Sequence, residues 1–403
     1  MNFEVLNEMA AVDIPVSIMV IGAGGGGSNA VDGMIARGIK GVKFVAVNTD
    51  AQHLSRSKAD IKLQIGSKIT GGRGAGGVPE TGAKAAAEDK EKIQKILQGA
   101  NMVFVTAGMG GGTGTGSAPI IAQVAKDMGA LTVSVVTTPF DFEMGFRMEL
   151  AKEGIEKLRR ASDTLIVIPN QKLLSNVDKK TSIPEAFRKA DDILRQGVQG
   201  ISDAILETGL VNIDFADAEA VMRNQGDALM AIGYGSGDDR VEEAVSGVLD
   251  NPLLEDTSIK GAKRALIYVA GSEDLPITEY ADIVTRITAD MDKTAIIKTG
   301  MYLDPTMENS IRVTVIASGF TGEVREQNLS LVKPAKTEVI SGTEYNSIVG
   351  QVPHHTANMD SLPPRGKRDE HKYSGSDLDT PTVIRDGRFF NFPIDTRGKA
   401  QSC

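Results

Sequence analysis

Apolar runs of strand length alternate with apolar stripes of helical period along the first half of the chain. Residues 16–21, 42–47, 102–106, 131–136 and 164–168 are apolar almost throughout and read as short buried strands. Helical spacing follows or precedes them up to about Arg37 and over 80–98, 117–126 and 146–160. This alternation predicts an α/β fold, an open and mostly parallel sheet with helices on both faces.

The longest helix is expected to start at Ser182, which forms a capping box with Glu185 and tolerates Pro184 in its first turn. Phe187, Ala190, Ile193, Leu194, Val198, Ile201 and Ile205 keep its period over about 24 residues, roughly 36 Å of helix. Gly197 and Gly200 inside it each cost about 1 kcal/mol relative to alanine, so a neighbour is expected to approach the backbone closely there. A second, smaller α/β unit follows, with strands near 228–233, 265–270, 294–299 and 311–317 and helices near 238–250 and 276–291. The periodicity then stops. The expected division is a flexible segment 1–15, a parallel-sheet domain 16–182, a central helix 183–207, a smaller α/β domain 208–321, a disordered linker 322–377 and a tail 378–403. Within the tail, the apolar island from Leu378 to Arg385 has the look of a linear binding motif.

Composition narrows the class without changing the fold. With 403 residues, 41% hydrophobic and 24% charged, the chain is an ordinary globular one with room for two domains. A formal net charge of −9 without a basic block argues against a dedicated nucleic-acid binder. Cys403 is the only cysteine, so no internal disulfide is possible and a reducing compartment is expected. The acidic start does not read as a signal peptide, and no apolar run approaches the roughly 20 residues that span a bilayer. A cytoplasmic protein is expected, with any membrane contact made through a partner.

The candidate chemistry lies in glycine. Six of the ten residues from Ala107 to Gly116 are glycine, and the run stands between a buried strand and a helix. Amides there can approach a ligand without interference from Cβ, and a helix N-terminus points at the same place, which makes an anion cradle. A second such run, from Gly22 to Asn29, follows the first strand, and a third spans Gly71 to Gly77. Gly22, Gly24 and Gly27 satisfy the dinucleotide fingerprint, yet the acidic residue expected about 20 positions on is replaced by Asn48, Thr49 and Asp50. Two loops holding one polyphosphate from two sides account for both runs. Neither loop contains lysine, so amides, helix dipoles and a metal ion would balance the phosphate charge. Asn170 and Asp192 are candidates for reading a base: a carboxylate favours guanine, with its adjacent N–H donors, if Asp192 points inward, whereas a solvated helix face is the plainer reading. Asn212, Asp214 and Asp217 can polarise a water for attack on a phosphate, or else form a turn in which Asp217 caps the next helix.

The run from Gly110 to Gly116 matches the tubulin signature, and from about residue 16 to 320, with the tail island, the chain resembles the FtsZ family, bacterial cell-division GTPases of the tubulin superfamily. The resemblance implies a tubulin-like fold, a Rossmann-like GTP-binding domain joined by a central helix to a smaller α/β domain. It implies binding of GTP or GDP with Mg²⁺, the phosphates lying on Gly24, Gly25, Gly26, Gly27, Ser28 and Asn29 and on Gly110, Gly111, Gly112, Thr113, Gly114, Thr115 and Gly116. Asn48, Asp50, Gly74, Ala75 and Gly76 would be further nucleotide contacts, with Pro139, Glu143 and Arg147 on the ribose side and Asn170, Phe187 and Asp192 at guanine. Asn212, Asp214 and Asp217 match a loop that serves the nucleotide of the next subunit, so hydrolysis would require a head-to-tail filament. The island from Leu378 to Arg385 would dock membrane-tethering division adaptors, beside division-site regulators, at a mid-cell ring beneath the inner membrane. The chain departs from the common pattern at Ser28, Arg73, Met144 and Phe146. The competing readings are a filament-forming scaffold with little or no hydrolysis and a nicotinamide-dependent oxidoreductase.

Overall fold

The apolar runs of both halves of the chain meet in one sheet. The computed structural model describes residues 16–174, 181–207, 209–251 and 259–320, so the expected flexible start, the linker and the tail with its binding island lie outside the described residues. In chain order the first half contains β1 (Ile18–Ala23), α1 (Gly24–Ala36), β2 (Val42–Asn48), α2 (Ala51–Arg56), β3 (Ile61–Gln64), α3 (Ser67–Thr70), α4 (Pro79–Glu88), α5 (Lys90–Leu97), β4 (Met102–Gly108), α6 (Thr113–Asp127), β5 (Leu131–Thr138), α7 (Gly145–Ala161), β6 (Thr164–Pro169) and α8 (Asn170–Leu173). Then come α9 (Ile183–Leu206), α10 (Phe215–Met222), β7 (Gly226–Ser236), α11 (Arg240–Leu249), β8 (Arg264–Gly271), α12 (Ile277–Thr288), β9 (Ile296–Leu303) and β10 (Ser310–Ser318).

The strand order is β3-β2-β1-β4-β5-β6-β7-β10-β8-β9 in a sheet of ten strands. All neighbours from β3 to β7 are parallel, so the carboxyl ends of β1, β2, β4, β5 and β6 open on one side, where ligands of such sheets bind. Instead of a separate second sheet, β7 adds to the free edge of β6, pairing Thr164, Leu165 and Ile166 with Gly226, Asp227 and Ala228. Beyond it, β10 runs antiparallel to both β7 and β8. Alternate strand residues feed opposite faces, which is why these strands are apolar throughout. Ile18 and Val20 pack with Leu194, Val198 and Ile201 of α9, while Met19 and Ile21 pack with Ile121 and Val124 of α6. A third apolar cluster fills the space between β7, β8, β10 and the helices α11 and α12.

Two local expectations fail for identifiable reasons, and three short elements carry no expectation in the sequence. The helix expected over 80–98 breaks at Asp89, whose carboxylate accepts the Gly66 N–H at 2.8 Å and pairs with Lys92 at 2.6 Å. Ser182 is the N-cap residue of α9, but its side chain caps nothing; the Glu185 N–H instead bonds the Ser182 carbonyl at 3.0 Å. The short α2, β3 and α3, of 6, 4 and 4 residues, carry too little periodicity to be seen in the sequence.

The two glycines of α9 sit against neighbours, as their helix cost suggested. A Cβ on Gly200 would lie 2.7 Å from Thr314 Cγ2 and one on Gly197 would lie 2.8 Å from Met230 Sδ. Thr314 is short, β-branched and buried, whereas the thioether of Met230 can rotate away. Gly200→Ala should therefore lower stability by about 1–3 kcal/mol, overpacking outweighing the gain in helix propensity, while Gly197→Ala should cost less than half as much. Urea unfolding of the two variants checks this; equal losses would contradict the packing account.

Candidate nucleotide site

Glycine at the end of β1 forms helix, not loop, whereas Gly110, Gly111 and Gly112 after β4 make a turn that leads into α6. Strand β1 passes directly into α1, so Gly24, Gly25 and Gly26 make its first turn, and Gly114 lies in the first turn of α6. The N-cap residues are Ala23 and Gly112, neither of which places a side-chain oxygen on the helix, so the first-turn N–H groups are left for a ligand. The two helix ends touch backbone to backbone. A Cβ on Gly24, whose φ is +71°, would stand 2.6 Å from the Gly114 nitrogen, and one on Gly26 would stand 3.2 Å from the Gly108 Cα. Two helix dipoles thus converge with no side chain between them, the electrostatics an oligophosphate needs in a site without lysine.

The other segments are packed onto this centre. A Cβ on Gly112 would meet the Val78 nitrogen at 2.8 Å and Ala75 Cβ at 3.0 Å, which brings the 74–77 loop against the signature. Thr115 Oγ1 accepts the Gly110 N–H at 2.8 Å, and the hydroxyls of Thr113 and Thr49 bond at 2.6 Å. At the end of β2, the buried Asn48 accepts the Asp50 N–H at 3.2 Å, while Asp50 caps α2 by accepting from Gln52 and His53. A bridge between Asp50 and Arg73 holds Gly74, Ala75 and Gly76 beside that strand end. Ser28 is fully buried with its hydroxyl unpaired, and Asn29 is exposed.

On the ribose side, Glu143 accepts the Phe140 N–H at 3.0 Å and pairs with Arg147 at 2.6 Å. A Cβ on Gly110 would stand 2.6 Å from the Arg147 carbonyl oxygen and 2.8 Å from Pro139 Cγ, so this segment rests on the signature. Met144 has φ +77°, a conformation that favours glycine, so the backbone keeps a glycine-type turn with a strained methionine in it. Phe140 and Phe142 stack with centroids 5.0 Å apart, and Phe187 meets both edge-on at 5.2 and 6.2 Å.

The base-reading carboxylate requires a correction. Asp192 is taken up by Arg195 at 2.8 Å, Gln196 at 2.8 Å and Arg37 at 3.5 Å. Burial acts to raise this carboxyl, but Arg195, Gln196 and Arg37 outweigh it and hold it below the usual carboxylate range. Asp191, the residue before it, has no such partner among the described residues, and burial pushes it up to about 7. It is four residues after Phe187 and therefore on the same helix face, a periodicity that was available in the sequence. Asn170, beyond β6, is buried with its Oδ1 unpaired. Phe187, Asp191 and Asn170 thus offer a ring face, a carboxylate and a free acceptor.

Asn212, Asp214 and Asp217 lie elsewhere. Asp214, rather than Asp217, is the N-cap of α10, accepting the Asp217 N–H at 2.7 Å, and Asp217 pairs with Lys298 at 2.6 Å. Asn212 and Asp214 are exposed. These residues follow the far end of α9, where Leu206 packs on Gly41 just before the amino end of β2. The 24 residues of α9 amount to about 36 Å of helix between that end and the cradle side.

Uncapped helix ends, a centre that a Cβ on Gly24, Gly26 or Gly112 would fill and the unpaired Oδ1 of Asn170 fit a guanine nucleotide. Residues 17–178 match the family model described as "Tubulin/FtsZ family, GTPase domain", and 226–321 match "FtsZ family, C-terminal domain". Among solved structures, a dimer of FtsZ from M. jannaschii is 47% identical with a TM-score of 0.72, covering 75% of this chain and 88% of that one. CetZ2 from Haloferax volcanii, a protofilament with bound GTPγS, is 20% identical with a TM-score of 0.62 over 78% of this chain and 99% of that one, and shares the fold. CetZ1 from the same organism, a monomer with bound GDP, is 21% identical with a TM-score of 0.65 over 78% and 98%. Fold and site define a GTPase of the tubulin/FtsZ class. Within that class, the chain belongs to the FtsZ family.

The Asp191 assignment carries a pH signature. An ionised carboxylate accepts both guanine N–H groups, so binding lowers the pKa of Asp191 from about 7 and expels a proton below that pH. GTP affinity should fall as pH drops below 7, by up to about tenfold per unit, and level off above it. Calorimetry across pH 5.5–8 checks this: Asp191→Asn should flatten the dependence and Asp192→Asn should keep it. An unchanged slope in Asp191→Asn would contradict the assignment.

Proposed function

We propose that this chain polymerises head to tail into filaments of the bacterial cytokinetic ring and hydrolyses GTP at the contacts between subunits. The observation that carries the reading is the separation within one subunit. The phosphate cradle stands at the carboxyl ends of β1 and β4, and Asp214 and Asp217 follow the opposite end of a helix of 24 residues. A subunit of this shape cannot bring its own carboxylates to its own nucleotide. Stacking the carboxylate end of one copy on the cradle end of the next joins them, and because the two surfaces differ the contact is heterologous and propagates as a filament. The solved FtsZ dimer and CetZ2 protofilament are assemblies of related chains.

Each part then has a defined role. The amides of α1 and α6 hold the phosphates, Phe187 and Asp191 hold guanine, and Glu143 and Arg147 border the ribose. Mg²⁺ supplies charge neutralisation on the phosphates; no three His, Cys, Asp or Glu converge among the described residues, so phosphate oxygens and water would be its main ligands. Asp217 is already balanced by Lys298, whereas Asp214 uses one oxygen as a cap and keeps an exposed one. Asp214 is thus the better placed carboxylate to orient the attacking water of the neighbour's site, with Asn212 beside it. The island from Leu378 to Arg385 docks a membrane-tethering adaptor at the end of the linker, which places the cytoplasmic filament under the inner membrane at mid-cell. No helix of the described residues is long and apolar enough to cross a membrane itself.

GTP turnover measured against protein concentration tests the assembly requirement. Specific activity should be near zero below a threshold and rise above it; proportional activity from the lowest concentration would sink the shared site. Asp214→Ala should keep GTP affinity within about threefold while losing most hydrolysis, and loss of binding by the isolated variant would refute a role in the neighbour's site. Deleting 378–385 should spare turnover and abolish adaptor capture in a pull-down, so a retained adaptor would contradict the docking role.

A further inference from the structure

His53 has no part in the scheme so far, yet its ring is fixed beside the phosphate cradle. Its backbone N–H donates to Asp50 Oδ1 at 3.1 Å, which anchors the first turn of α2. Its Nδ1 lies 3.4 Å from Asn48 Nδ2. The orientation of that amide is determined by its other end, because Asn48 Oδ1 accepts the Asp50 N–H at 3.2 Å, and a flipped amide would set two donors against each other. Asn48 Nδ2 can only donate, so Nδ1 of His53 must accept and the ring proton resides on Nε2. Nε2 is also the ring atom that faces the cradle: it stands 3.8 Å from where a Cβ on Gly25 would be, the only described atom that near apart from Gly25's chain neighbours and the backbone of α1 itself. Gly25 belongs to the first turn of α1, whose amides have no cap. Among the described residues, no hydrogen bond reaches Nε2.

We infer that His53 is a further phosphate ligand, donating from Nε2 to an oxygen of the bound guanine nucleotide across the open space beside Gly25; the inference rests on the GTP site described above. A neutral imidazole adds a directed N–H to a cradle whose glycine runs contain no lysine. Asn48 acts at one remove, as the residue that sets the tautomer. The phosphate oxygen gains a donor on the side of α2.

The test is equilibrium binding of GTP and GDP to the full chain by calorimetry, with wild type, His53→Ala and His53→Gln. The alanine variant should bind GTP about tenfold more weakly, the usual scale for a hydrogen bond to a charged group, with nucleotide-free thermal stability nearly unchanged. Glutamine carries an N–H₂ at a similar reach and should restore affinity to within about threefold of wild type. Wild-type affinity in His53→Ala, or equal losses in both variants, would overturn the histidine's role while leaving the GTP site intact. Absence of GTP binding by the wild type would overturn the site itself and this role with it. Ring-nitrogen NMR of the wild type gives a second readout independent of the variants' folding. Nε2 should carry the proton without nucleotide and its resonance should move when GTP is added, whereas an Nδ1-protonated ring, or one unmoved by GTP, would refute the assignment.

Discussion

The approach of two helix ends to within backbone contact is the constraint on which the rest of this structure depends. Gly24 and Gly114 bring α1 and α6 together where a single methyl group would not fit. That closeness is possible because β1 and β4 are adjacent and parallel, so their helices start from the same edge of the sheet. The site is therefore built mainly from backbone, and its charge balance comes from dipoles and unpaired amides rather than from lysine side chains. Threonines complete it: Thr113 ties the signature to Thr49, and Thr115 holds the Gly110 turn within it.

The same sheet separates the glycine cradle from the carboxylates of Asp214 and Asp217. The parallel strands open their carboxyl ends on the cradle side, and the chain must return to the other side by α9 before it enters the second domain. Gly197 and Gly200 let that helix lie close against Met230 and Thr314, so its two ends are held at a fixed spacing. The carboxylates of Asp214 and Asp217 emerge at the far end, one capping α10 and the other paired with Lys298. In the head-to-tail assembly proposed above, joining the two halves of an active site and extending a filament would be the same event.

Much of this was legible in the sequence, and the parts that were not have physical causes. The parallel strands were visible because burial on both faces makes them apolar throughout. The glycine runs were visible as phosphate-binding segments but not as helix, since glycine is a poor helix former and only the surrounding contacts commit Gly24–Gly27 to a first turn. The extent of α9 was legible because its apolar stripe runs unbroken for 24 residues. Its paired carboxylate was not legible: only the folded structure shows that Asp192 is engaged by Arg195, Gln196 and Arg37, although the four-residue spacing from Phe187 points to Asp191. The joining of β6 to β7 has no sequence signature, because a ladder this short depends on an edge that exists only once the first domain has folded. Nor could the sequence reveal His53, whose tautomer depends on how the amide of Asn48 is oriented by the Asp50 N–H.

Mixing two inactive variants tests most directly whether one molecule's carboxylates serve another molecule's nucleotide. A subunit carrying Asp214→Ala keeps the cradle, and a subunit with a cradle blocked at Gly24 keeps the carboxylates. If the active site forms between copies, the mixture should hydrolyse GTP well above the sum of the two variants measured apart. Activity no greater than that sum, in mixtures shown to co-assemble, would contradict a site shared between neighbours.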